Sequence, residues 1–144
     1  MATQDLTNTL AVQRQIGPVL DGGKRTVKKT VNFANVGGSA GDTYQLFDLP
    51  AGVTVLGGHI AVTAVFGAAS SGTIQFRIGS ANLSAAIDCN ATAVNTVYQL
   101  STNDYEDTAG AVTRLTAADT LDMVNATAIP ATGVFDIYIE YIDG

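Results

Sequence analysis

The chain has no tryptophan, one cysteine, one histidine and three prolines in 144 residues. The single cysteine, Cys89, excludes an intrachain disulfide framework. With only His59 beside it, a Cys/His zinc centre within one chain is excluded as well. Charge is scarce: Asp, Glu, Lys and Arg make up 14% of the residues, where ~25% is ordinary. Hydrophobic residues are 47%, which excludes disorder over the whole chain. No apolar run approaches the ~20 residues that a membrane-spanning helix needs. The start, Met1–Asp5, lacks the basic residues and apolar stretch of a signal peptide. Synthesis in a cytoplasm, with Cys89 reduced, is therefore expected.

What charge there is lies unevenly. Residues 1–29 carry Arg14, Lys24, Arg25, Lys28 and Lys29 against Asp5 and Asp21, a net of +3. Residues 30–144 carry Arg77 and Arg114 against eleven acids, a net of −9. This is a basic arm on an acidic body. The acidic body repels phosphate, and no aromatic residue interleaves the Lys24–Lys29 cluster to stack bases. Those lysines read instead as the guard of an exposed strand edge. A surface this poor in charge also points to contacts with other chains.

The rest of the chain reads as β-structure. Thr26–Phe33 alternates, with Val27, Lys29, Val31 and Phe33 on one face. Thr43–Leu49 and Val53–Phe66 follow as strands, the latter interrupted by Gly57-Gly58, which predicts a bulge or bend. Thr73–Ile78 places Ile74, Phe76 and Ile78 inward; Gly79–Asn90 is ambiguous. Further strands are expected at Thr92–Leu100, Ala111–Leu115, Thr120–Val124 and Val134–Ile142. In the last, Phe135, Ile137, Ile139 and Tyr141 share the inner face. About eight strands with regular turns and no convincing helix predict an all-β fold. The expected architecture is a single antiparallel β-sandwich, jelly-roll-like, over residues 23–144, with an extended N-terminal arm over 1–22.

No catalytic constellation is present. His59 lies in an apolar strand without a nucleophile motif and reads as a packed or interface histidine. Cys89 reads as a buried small hydrophobe. Asp104, Glu106 and Asp107 share one loop, but their spacing does not match a calcium-binding EF-hand, and a solvated acidic loop is the preferred reading. Gly37–Gly41 lacks the Lys-Ser/Thr ending of a phosphate loop. No cofactor, no metal and no enzymatic activity are expected.

Four runs carry a resemblance. They are Phe47-Asp48-Leu49-Pro50-Ala51-Gly52-Val53-Thr54-Val55, Thr63-Ala64-Val65-Phe66, Thr73–Ser80 and Gly133–Tyr141. Together they resemble the capsid decoration, or cement, proteins of tailed bacteriophages, over residues 43–144. The resemblance implies a virion protein on the outer capsid surface, commonly a homotrimer, that clamps neighbouring major capsid subunits. Nucleic acid and membrane are not expected partners. The residues assigned to partner binding are Leu10, Arg14, Ile16, Lys24, Arg25 and Lys28. The alternative is a phage tail or fibre module that binds host-surface glycans, with Tyr44, Tyr98, Tyr105, Tyr138 and Tyr141 as its candidate aromatic contacts.

Overall fold

Strict alternation of apolar residues produces strands that each bury one face, and two such faces must meet. The computed structural model describes residues 3–5, 24–67, 72–100 and 114–143. In chain order the strands are β1 (Thr3–Asp5), β2 (Lys24–Asn32), β3 (Thr43–Leu49), β4 (Val53–Gly67) and β5 (Thr73–Ile78). They continue with β6 (Ala81–Asn82), β7 (Ile87–Asp88), β8 (Val97–Leu100), β9 (Asp119–Ala126) and β10 (Thr132–Asp143). One sheet has the order β1-β3-β9-β5-β6, with β7 also paired to β5. The other has the order β2-β10-β4-β8. Among the described residues every pairing is antiparallel except β1 with β3. This is the all-β sandwich that the alternation predicts.

The core lies between the sheets. Val27, Val31, Ile60, Val62, Phe135, Ile137, Ile139 and Tyr141 come from one sheet. Tyr44, Leu46, Ile74, Phe76, Leu121 and Met123 come from the other. Phe33, Phe66, Phe76 and Phe135 make an aromatic cluster, with ring centroids 4.9 to 5.9 Å apart. Fully burying one such side chain stabilises the fold by roughly 1.5–3 kcal/mol.

The Gly57-Gly58 bulge is present. Glu140 faces Gly57 while Tyr141 faces Val55, so Leu56 is the extra residue. The insertion shifts the inward phase of β4 from Val53 and Val55 to Ile60 and Val62. Without it, one half of this 15-residue strand would present the wrong face to the core. Gly58 is also required sterically, because an added Cβ would overlap the Tyr138 carbonyl oxygen.

Three local expectations need correction. The first strand ends at Asn32, not Phe33. The Asn32 side chain accepts the Ala34 N–H at 3.0 Å and starts a one-turn helix, α1 (Phe33–Val36), with Phe33 still buried. The strand expected over Thr92–Leu100 begins only at Val97. Before it, the Thr92 hydroxyl accepts the Phe66 N–H, and Asn95 takes a left-handed φ of 68° in a turn. The strand expected over Ala111–Leu115 is not one at its described residues, Arg114 and Leu115. Leu115 nevertheless exchanges backbone hydrogen bonds with Gly52 and Val53 at 2.7 and 2.8 Å. The ambiguous stretch resolves into β6, β7 and a 3-10 turn over Cys89–Ala91.

Candidate functional site

The basic cluster falls on β2, an edge strand among the described residues. Two of its lysines are engaged by the neighbouring β10. Lys24 Nζ lies 3.4 Å from Glu140, and Lys28 Nζ lies 3.4 Å from Asp136. The Thr30 hydroxyl donates to the same Asp136 carboxylate at 2.6 Å. The hydrogen bond to Asp136, then its charge and that of Tyr138, raises the Lys28 ammonium above its ordinary pKa. The pattern fits the expected guard: charge on an exposed strand opposes pairing with another strand.

Registry places Lys28, Tyr138, His59 and Gln99 in one row across β2, β10, β4 and β8. The Tyr138 ring has the Lys28 ammonium on one flank, 5.7 Å from its centroid. On the other flank it stacks on the His59 imidazole. Beside this row, Leu56, Gly57, Gly58, His59, Gln99, Leu100 and Glu140 line a depression of about 250 Å³. A second hollow, of about 420 Å³, lies at Ala51, Gly52, Arg114, Leu115 and Thr116, where Arg114 Nε donates to the Gly52 carbonyl at 3.0 Å.

Among the residues assigned to partner binding, the structure brings Lys24, Arg25 and Lys28 together on β2, with Lys24 and Lys28 exposed and Arg25 half-buried. Leu10, Arg14 and Ile16 lie outside the described residues, as does the Asp104–Asp107 loop. Of the expected arm, Thr3–Asp5 forms β1 along the edge of β3.

Cys89 and His59 do not meet. Cys89 is buried in the core, where burial, and then the charge of Asp88, pushes its thiol up to about 11. His59 lies on the outward side of β4, seven residues from Phe66, the β4 residue bonded to Thr92 just past the Cys89 turn. Seven strand residues span roughly 23 Å. Among the described residues, no three His, Cys, Asp or Glu side chains gather where a metal ion would fit.

The sequence reading did not single out Val65, Val94 and Val97 as exposed apolar residues, at 50%, 48% and 50% exposure. Val65 was visible in the alternation of β4, on the face opposite Phe66. Val94 and Val97 were not, because the strand expected over Thr92–Leu100 begins only at Val97 and leaves Val94 in the turn before it.

No protein-family model matches the chain, and no curated protein sequence does. Its fold, however, is shared with chains from three phage capsids. In the capsid of Ralstonia phage GP4, a chain matches with a TM-score of 0.57 and 14% identity, over 99% of this chain and 98% of that one. In the capsid asymmetric unit of cyanophage Pam1, the values are 0.55 and 19%, over 89% and 90%. In the acid-stable capsid of Helicobacter pylori bacteriophage KHP30, they are 0.51 and 15%, over 83% and 86%. At such identities the likeness is one of fold: a two-sheet sandwich of a kind found in bacteriophage capsids.

Proposed function

We propose that this protein is a structural component of the virion of a tailed bacteriophage. In this reading it decorates the outer surface of the capsid and stabilises it by binding across major capsid subunits. The observation that carries the reading is the match to a GP4 capsid chain over nearly the full length of both chains. It works as a homotrimer made in the host cytoplasm, without cofactor, metal or catalysis. Many identical weak contacts, engaged together on a shell, give a large combined free energy through avidity. The sparse charge and the exposed Val65, Val94 and Val97 suit burial against other chains. Pairing of Lys24 and Lys28 with acids of β10 argues against a phosphate-binding role for the basic cluster.

The glycan-binding alternative loses three of its five candidate platforms, while Tyr98 is half-buried against the core and Tyr105 lies outside the described residues. Tyr44 and Tyr141 are buried, and Tyr138 is flanked by Lys28 and His59. Sugar rings stack on open aromatic faces. Gold-labelled antibody on purified virions, viewed by electron microscopy, tests the proposal. Label distributed over intact heads is the expected result. Label confined to tails, or none on the virion, sinks it.

A further inference from the structure

Two outer strands, β2 of one sheet and β3 of the other, are built differently. β2 is guarded by Lys24, Arg25, Lys28 and Lys29. The β3 sequence, Thr-Tyr-Gln-Leu-Phe-Asp-Leu, has no basic residue and one acid, Asp48. An unguarded edge accepts a strand, and β3 has accepted one: Thr3, Gln4 and Asp5 pair in parallel with Thr43, Tyr44 and Gln45. Every other pairing described is antiparallel. The added strand is short, and it covers only the first three of seven β3 residues.

We propose that β1 is exchanged between copies of this protein, so that the β3 edge of each subunit is completed by Thr3–Asp5 of a neighbour. Eighteen residues, 6–23, tether Asp5 to Lys24. Fully extended, such a tether reaches up to about 60 Å. A folded chain of 144 residues has a radius of gyration of only about 15 Å. That number of residues is enough to reach an adjoining copy. Exchange keeps the main-chain hydrogen bonds of the pairing and adds a link between subunits, which makes it a low-cost route to an oligomer.

The inference rests on the self-association in the proposed function and not on the capsid role. Two differently tagged chains, one with Asp5→Cys and one with Gln45→Cys, are co-expressed, since these positions are register partners. The purified protein is oxidised in its native state, alkylated and run on a non-reducing denaturing gel. Cys89 can remain, because it is buried and held protonated. Exchange yields a cross-linked band at the summed mass of the two tagged chains. Its absence overturns the proposal, most directly if both substitutions placed in one chain give an internal cross-link. Should the variants fail to fold by circular dichroism, Thr3→Cys and Thr43→Cys repeat the test two residues back along both strands. Sedimentation of the same samples separates the two failures. An oligomer without the mixed band rejects exchange alone, whereas a monomer also rejects self-association.

Discussion

The imidazole of His59 stacks on the phenol ring of Tyr138, with centroids 4.7 Å apart and 19° between the planes. The two residues are direct cross-strand partners on β4 and β10. Lys28 holds the opposite flank of the ring. One aromatic side chain thus ties three of the four strands of its sheet on their outer face.

Replacing Tyr138 with Ala removes this tie and is expected to destabilise the fold by about 1–2 kcal/mol. Tyr138→Phe retains the ring and should lie close to the wild type. Urea unfolding of the three proteins checks this. Equal midpoints for wild type and Tyr138→Ala would show that the stack contributes nothing.

Two glycines should respond very differently to alanine. At Gly58 a methyl group would overlap the Tyr138 backbone, which the β4–β10 ladder holds in place. Gly58→Ala is expected to cost more than about 3 kcal/mol or to prevent folding. At Gly37 there is open space, and only the left-handed φ of 64° opposes a side chain. With ψ at −178° this is a conformation that glycine alone adopts readily, and Gly37→Ala should cost about 1–3 kcal/mol. Thermal melts rank the two, and the reverse order would contradict the packing described.

Cys89 predicts a pH dependence. Its folded-state pKa, about 11, lies above the ordinary value of 9.0, because burial and then Asp88 disfavour the thiolate. A pKa raised in the folded state gives stability that is fully present below the unfolded value. That contribution is lost as pH rises from about 9 through about 11. Stability should therefore fall across this window, and Cys89→Ser should flatten the fall. A thiol reagent at pH 8 should react only after denaturant is added. Rapid labelling of the native protein would place Cys89 at the surface.

If the basic segment steers attachment, binding to heads stripped of this protein should weaken as salt rises from about 0.1 to about 1 M, where screening shortens from about 10 to about 3 Å. Lys24→Glu with Lys28→Glu should weaken it further and leave Glu140 and Asp136 facing like charges. Cosedimentation with stripped heads measures both effects. Binding indifferent to salt and to both reversals would remove Lys24 and Lys28 from the contact.

Strand identity and facing were written into short stretches of chain. The period of two in Thr73–Ile78 and Val134–Ile142 fixed which side chains turn inward. Ile74, Phe76, Ile78, Phe135, Ile137, Ile139 and Tyr141 are buried as that period requires. The adjacent Gly57 and Gly58 marked the bulge, because backbone so close to a neighbouring strand admits no side chain. The cluster Lys24–Lys29 marked an edge, because buried central strands do not carry such charge.

Tertiary structure alone decided which strands became neighbours. That β10 lies between β2 and β4 follows from joint burial of side chains more than seventy residues apart, and no local pattern encodes it. The Lys28–Tyr138–His59–Gln99 row is a product of that order, since each residue comes from a different strand. Local hydrogen bonds decided the element ends that alternation missed. Asn32 capped a turn where the pattern continued a strand, and Thr92 turned its hydroxyl to Phe66 where a strand was expected. The parallel β1 was hidden for a further reason: three residues carry too little periodicity to reveal a strand, and only the open edge of β3 gives them one.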